Sequence, residues 1–110
     1  MAARKKKATA TKKPQTVQST PIKVRFGGRN GLGPTHRFTT EAKAKAKIVD
    51  ELQEVLAWCQ RFNRRGVEAV AETIDKVATI TFHLSPQRLE CLFDETYDMS
   101  LVIEFWRTNE

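Results

Sequence analysis

Residues 1–20 contain a single aliphatic side chain of any size, Val17, and this limits the folded part of the chain to the remaining ninety residues. Pro14, alternating Ala and Thr, and two clusters of Lys and Arg make up most of the segment. With so little to bury, it cannot offset the entropy cost of ordering. We therefore predict a disordered basic tail over residues 1–20 and one α+β domain, with a modest core, over residues 21–110.

The charges are divided unevenly along the chain. The first forty residues hold ten Lys and Arg and no acid, whereas the last seventy hold nine Lys and Arg and all thirteen acids. The two parts therefore carry +10 and −4. A basic arm on a weakly acidic body is typical of a chain that binds a polyanion with one end.

The domain is predicted to begin with a β-hairpin. Ile22, Val24 and Phe26 alternate with basic residues, which predicts a strand with one apolar and one basic face. Four glycines, an Asn-Gly pair and Pro34 predict a loop over residues 27–34. Residues 35–39 then predict a short second strand that closes the hairpin.

A long amphipathic helix is predicted from Glu41 to about Arg64. Its apolar residues follow one another at intervals of 4, 3, 4 and 3: Ile48, Leu52, Val55, Cys59 and Phe62. Thr39 or Thr40 is expected to cap its first turn. Gly66 is expected to end it in the left-handed conformation.

The last third of the chain predicts two strands, a short helix and a final strand. Residues 67–74 and 77–84 fit an antiparallel hairpin through Asp75 and Lys76, although 67–73 also fits a continued helix. Ser85 and Pro86 predict the start of a helix that ends near Asp94, and Met99 to Trp106 predicts a strand.

The resulting βαββαβ order predicts a ferredoxin-like sandwich, an antiparallel sheet covered on one face by one long and one short helix. The other face of the sheet is expected to stay open. Its predicted residues are Lys23, Arg25, Glu68, Val70, Glu72, Thr79, Thr81, His83, Val102, Glu104 and Trp106.

No catalytic site, metal site or cofactor is predicted, and the protein is not expected to be an enzyme. Cys59 and Cys91 have no CxxC neighbour and are interpreted as thiols in a reducing compartment. His36 and His83 lie in no arrangement typical of nucleophilic catalysis, and His83 is expected to pair with Glu68. The densest acidic segment is interpreted as a solvated rim, with its role left open: Glu90, Asp94, Glu95 and Asp98.

We predict a small nucleic-acid-binding protein that contacts the phosphates of DNA or RNA without sequence preference. The predicted contacts are Arg4, Lys5, Lys6, Lys7, Lys12 and Lys13 in the tail, Lys23, Arg25, Arg29 and Arg37 in the hairpin with its Gly-rich loop, and Arg61, Arg64 and Arg65 at the C-terminal end of the long helix. The alternative is a protein-binding module, an adaptor, inhibitor or small subunit, or a homodimer, that uses the acidic C-terminal half and the open sheet.

No apolar run is long enough to span a bilayer, and the N-terminus lacks the apolar centre of a secretory signal. A cytoplasmic protein, associated with a nucleoid or an assembly, is expected. The basic cluster from Arg4 to Lys7 would serve as a nuclear address in a eukaryotic cell. An organelle transit peptide is the remaining interpretation of the tail.

Overall fold

A computed structural model describes residues 20–109, which form a four-stranded antiparallel sheet and two α-helices. The elements are β1 (Ile22–Gly28), β2 (Gly31–Phe38), α1 (Glu41–Phe62), α2 (Val67–Val77), β3 (Gln87–Asp94) and β4 (Met99–Arg107), with a 3₁₀ turn (Arg64–Gly66) between the helices. The predicted α+β class is confirmed. The predicted tail, except for Thr20, lies outside the described residues.

The strands lie in the order β2-β1-β4-β3, and each pairs antiparallel with its neighbour. Two hairpins, β1–β2 and β3–β4, are thus joined edge to edge through β1 and β4. The predicted ferredoxin-like βαββαβ order is not confirmed, because the elements follow one another as ββααββ.

Residues 67–74, predicted as a strand, form most of helix α2 instead. Val67, Val70, Ile74 and Val77 follow one another at intervals of 3, 4 and 3, and all lie in or against the core. The alternation of Val67, Ala69 and Ala71 suggested a strand, but Ala is the strongest helix former and packs poorly in sheets. The helical spacing therefore determines the structure of this segment, in agreement with the alternative prediction of a continued helix over residues 67–73.

Of residues 77–84, the predicted partner strand, Val77 ends α2 and residues 78–84 belong to an irregular connection from α2 to β3. The Thr79 hydroxyl donates to the Lys76 carbonyl at 2.8 Å where the helix ends. Phe82 is buried, and its ring centroid lies 5.5 Å from that of Phe105. Because residues 67–77 form α2 and not a strand, this segment has no hairpin partner. It runs along the core to β3, with Phe82 packed inward.

Residues 85–94, predicted as a short helix, contain strand β3. Leu89 and Cys91 lie directly opposite Ile103 and Leu101 of β4, so they face the core. Leu92, which alternates with Cys91 and Phe93, is exposed. The alternation of inward-facing residues at 89, 91 and 93 therefore determines that this segment is a strand. Ser85 and Pro86 precede that strand and not a helix.

The predicted N-terminal hairpin is confirmed, but its loop is shorter than residues 27–34. The strands continue to Gly28 and from Gly31, which leaves a turn at Arg29 and Asn30. A side chain at Gly27 would collide with the Gly31 carbonyl, and Gly31 itself has φ +123°. The glycines therefore allow close pairing of two strands rather than a mobile loop.

Helix α1 is confirmed, with Thr40 as its N-cap: the Thr40 hydroxyl accepts from the Lys43 amide at 3.1 Å. Its predicted stop is wrong, because Gly66 has φ −80° and precedes α2. A Cβ there would collide with the Phe93 carbonyl and lie 2.8 Å from the Cys59 sulfur. Gly66 is therefore required by close approach between layers, not by a left-handed turn.

The core lies between one face of the sheet and the two helices. Its buried apolar side chains come from both layers: Ile22, Val24, Ala44, Ile48, Leu52, Cys59, Val70, Val77, Phe82, Cys91, Ile103 and Phe105. Phe62, predicted to be part of the apolar stripe of α1, is exposed.

The opposite side of the sheet is called the outer face. By strand register it holds Lys23, Arg25, Thr35, Arg37, Arg88, Glu90, Leu92, Ser100, Val102, Glu104 and Trp106. The predictions for β1 and β4 on this face are confirmed. Those for residues 68–83 are wrong, because that segment is not in the sheet: Glu68, Val70 and Glu72 belong to α2, and Thr79, Thr81 and His83 to the connection that follows it.

Candidate nucleic-acid interface

A row of two cations and an indole crosses three strands of the outer face. Lys23 of β1 lies opposite Arg37 of β2 on one side and opposite Trp106 of β4 on the other. Neighbouring strands are about 4.8 Å apart, so Lys23 is the immediate neighbour of both Arg37 and Trp106. We call them the basic row.

A second row follows two residues further along the strands. Glu104 of β4 lies between Arg25 of β1 and Arg88 of β3, with N–O distances of 3.8 Å and 3.5 Å. Arg25 Nε also donates to the Gly33 carbonyl at 3.1 Å. Arg25 is therefore held over the β1–β2 hairpin.

The outer face is basic on balance, although the folded domain is not. Its cations Lys23, Arg25, Arg37 and Arg88 outnumber its acids Glu90 and Glu104, for a net charge of +2. Residues 21–110 as a whole carry thirteen basic and thirteen acidic side chains and are neutral. The chain's net charge of +6 is thus equal to the charge of its first twenty residues. The excess of basic residues on the outer face results only from how the fold arranges the charges of a neutral domain.

Arg107 anchors the point where the basic tail of residues 1–20, which we call the basic arm, joins the domain. It is buried although it is charged, it forms an ion pair with Glu41, and its guanidinium donates to the carbonyl and hydroxyl oxygens of Thr20 at 3.0 Å and 3.2 Å. The Thr108 amide donates to the Pro21 carbonyl at 3.0 Å. Because Arg107 follows Trp106, the arm leaves the domain at the end of the sheet that carries the basic row.

Other predicted contacts lie elsewhere. Arg29 forms an ion pair with Asp98 that joins the tips of the two hairpins, at the opposite end of the sheet from the basic row. Arg61 lies in the last turn of α1 and Arg64 and Arg65 in the 3₁₀ turn that follows it, so none of the three belongs to the outer face. The predicted contacts in the tail, from Arg4 to Lys13, lie outside the described residues.

An exposed aromatic patch lies near Arg61. Trp58, Phe62, Tyr97 and Met99 line a cavity of about 310 Å³, with Phe62 65% and Tyr97 76% exposed. The Arg61 guanidinium lies 5.3 Å from the centroid of the Phe62 ring. Exposed apolar surface of this kind is typical of a contact site, and we call these four residues the aromatic patch.

The acidic segment does not form one cluster. Asp94 is buried and accepts from the Thr96 amide at 3.0 Å, which fixes the β3–β4 turn. Asp98, with φ 55°, pairs with Arg29, and Glu90 lies on the outer face. Within residues 20–109, no three His, Cys, Asp or Glu lie together as a metal site would require.

The histidines and cysteines take structural positions. His83 Nε2 lies 2.7 Å from the Thr81 hydroxyl, and the expected pairing with Glu68 is wrong because its hairpin does not exist. Cys59 and Cys91 are buried free thiols. Burial raises the pKa of the Cys59 thiol, and the nearby Cys91 and Asp94 raise it further.

Two features of these surfaces were missed by the sequence analysis. Arg88 was overlooked because its segment was interpreted as a helix, although the alternation of 88 and 90 with 89 and 91 contains the necessary signal. The aromatic patch was missed because Phe62 fits the apolar stripe of α1. No periodic pattern could reveal that the last turn of α1 leaves Phe62 exposed.

None of the helices in the described part of the chain is both long enough and apolar enough to cross a membrane. Comparisons of the chain with protein-family models, with curated proteins and with solved structures find no match in any of the three.

Proposed function

We propose that the protein binds nucleic acid through the outer face of its sheet, together with the basic arm. The observation that supports this most is the basic row, in which Lys23 and Arg37 lie beside Trp106 on a face that carries net positive charge. Phosphate contacts of this kind attract DNA or RNA without reading its sequence.

The anchoring of Thr20 by Arg107 connects the two parts of the proposed surface. Lys12 and Lys13 lie eight and seven residues before Thr20, and an extended chain reaches about 3.3 Å or more per residue. They can therefore reach phosphates up to about 25 Å from the anchor. A nucleic-acid strand bound by the basic row is therefore within reach of the lysines of the arm.

The test compares two double variants of the full chain that lose the same charge. Lys23→Ala with Arg37→Ala removes the cations of the basic row, whereas Lys43→Ala with Lys76→Ala removes two exposed cations from the helical layer. Fluorescence anisotropy of labelled oligonucleotides, single-stranded and duplex, is measured over a range of salt concentrations.

The first variant should bind more weakly and lose about 0.7 to 0.9 from the slope of log affinity against log salt for each cation removed. The second should behave like the unmodified chain. Equal losses in both would mean that only net charge matters, and the outer face would be rejected as the site. Absence of salt-dependent binding in the unmodified chain would reject the proposed function.

The aromatic patch supports a second candidate function, self-association, with a second copy of the chain as the occupant. Arg61 lies beside the patch at the end of α1, while Glu95 lies in the β3–β4 turn that contributes Tyr97. A two-fold axis through the patch would bring Arg61 of one copy toward Glu95 of the other. Its Trp, Tyr, Phe and Met side chains are those enriched at interfaces.

Sedimentation velocity over a range of concentrations tests this candidate. Phe62→Lys should shift the chain toward the monomer, whereas Leu84→Lys, at an exposed apolar residue outside the patch, should leave association unchanged. A chain that stays monomeric at every concentration, or equal effects of the two substitutions, would reject the dimer.

A further inference from the structure

We infer that the nucleic acid bound by the outer face is single-stranded and that one of its unpaired bases stacks on Trp106. This rests on the nucleic-acid-binding function proposed above. The inference comes from the position of the indole, the shape of the surface around it and the location of the helices.

Trp106 lies on the outer face because its chain neighbours Phe105 and Arg107 both point inward and are buried. The indole itself is partly exposed. Lys23 is its cross-strand neighbour, and Arg37 follows Lys23 on the next strand. An aromatic ring beside cations that hold the backbone is the arrangement by which proteins bind single strands.

The shape of the outer face disfavours a duplex. Both helices of residues 20–109 pack on the opposite side of the sheet, so neither can enter a groove of nucleic acid bound to the outer face. Four strands spaced about 4.8 Å apart form a surface at least about 14 Å wide, and the major groove is about 12 Å wide. A base inside a duplex exposes its edge but not its flat face, so it cannot stack on an indole.

The aromatic patch is the competing place for a base, and it contains the other tryptophan of the chain. The Trp58 ring lies 5.7 Å from both the Phe62 and the Phe93 rings, measured between centroids. Trp58 lies near the end of α1, whereas Trp106 lies beside the arm anchor near its start. Each tryptophan therefore reports on one surface.

The experiment uses two single-tryptophan variants of the full chain. Trp58→Phe keeps only Trp106, and Trp106→Phe keeps only Trp58. Each is titrated with a single-stranded oligothymidylate of about 20 nucleotides and with a duplex of the same length. Tryptophan emission reports stacking, and anisotropy of a labelled strand reports binding separately.

We expect the single strand to quench the emission of the Trp58→Phe variant, in parallel with its anisotropy, and to leave that of the Trp106→Phe variant unchanged. Trp106→Ala should weaken single-strand binding about 5- to 150-fold, the range for loss of one stacked base. If Trp106→Ala fails to fold by circular dichroism, the quenching in the Trp58→Phe variant still decides the question.

Three outcomes would overturn the inference and leave the proposed function standing: quenching of Trp58 instead of Trp106, binding without any quenching, or duplex binding as tight as single-strand binding. Absence of binding to both oligonucleotides would overturn the proposed function as well, so the two failures are distinguishable.

Discussion

Arg107 is a buried charge that fixes the junction between the basic arm and the folded domain. Its guanidinium is buried on the core side of β4, where it joins Thr20 to Glu41 in the first turn of α1. A buried cation is tolerated only when its donors are satisfied. Three oxygens of Thr20 and Glu41 accept hydrogen bonds from both terminal nitrogens of the guanidinium.

We predict that Arg107→Ala lowers the free energy of unfolding by about 2 to 3 kcal/mol. The loss should fall at or below the low end of the range for a broken buried ion pair, because Glu41 is 48% exposed and water can solvate its carboxylate afterwards. Urea denaturation measures the change. Arg88→Ala is the control: its side chain is 62% exposed, so losing its pair with Glu104 should cost less than about 1 kcal/mol. Equal effects would contradict the assigned role of Arg107.

The buried thiol of Cys59 predicts a specific dependence of stability on pH. Burial raises the pKa of Cys59 above that of the same thiol in the unfolded chain. Below the unfolded pKa, about 8.5, both states are protonated and the stabilising contribution is complete. As the pH rises further, the unfolded chain loses its proton first, and stability falls until the folded thiol ionises too.

The measurement is urea denaturation at pH 7.5 and at pH 9.5, in a Cys91→Ala background so that one thiol remains. The free energy of unfolding should fall more between the two pH values when Cys59 is present than in a Cys59→Ala variant of the same background. Parallel declines would show that other groups cause the change.

At the level of secondary structure, the segments that were predicted correctly are those with one dominant period. Residues 22–26 and 99–106 alternate cleanly, and α1 combines a helical stripe with a capping threonine. Residues 67–77 and 87–94 each fit two periods, and only their neighbours decide between them. Residues 87–94 form strand β3 because they pair with β4. The spacing of apolar residues within the segment does not indicate this pairing.

The same reasoning explains how much of the candidate site could be predicted. Lys23, Arg25 and Trp106 were predicted on the open face because their own strands determine their direction. Arg37 joins them through the hairpin register, and Arg88 through a strand that was not predicted. The burial of Arg107 could not be predicted, because it depends on Thr20 and Glu41, which are distant in the sequence.

Substitution at Ala71 distinguishes the two interpretations of residues 67–77. Ala71 is an exposed interior residue of α2, so Ala71→Val should lower the free energy of unfolding by about 0.5 kcal/mol through helix propensity alone. In a strand the same change should raise stability, because Val is favoured there. Urea denaturation gives the sign, and Ala57→Val, at an exposed position within α1, is the matched control that should also be destabilising.

For the molecule as a whole, the important relation is between a neutral domain and an arm that carries its net charge. Long-range attraction to a polyanion should therefore depend on residues 1–20, while contact geometry depends on the outer face. The arm and the sheet belong to one chain, so binding by one raises the effective concentration of the other. The contacts of Arg107 to Thr20 fix the junction between them.

We predict that deleting residues 1–19 leaves the free energy of unfolding unchanged within about 0.5 kcal/mol, because Thr20 and its contacts to Arg107 remain. The same deletion should weaken binding to a single strand at low salt. It should also lower the slope of log affinity against log salt by up to about 4, which is six phosphate contacts at about 0.7 each. Anisotropy titrations over a range of salt concentrations measure both quantities.

A separate peptide of residues 1–19, added to the truncated domain, tests whether the junction matters. If linkage supplies the affinity, the peptide should not restore binding at equimolar concentration, because the two parts then pay separate entropy costs of association. Arg107→Ala in the full chain should give an intermediate result, since the arm stays attached but its point of departure is no longer held beside Trp106. Full restoration by the peptide would mean that the arm and the sheet bind independently, and the anchor would then serve stability alone.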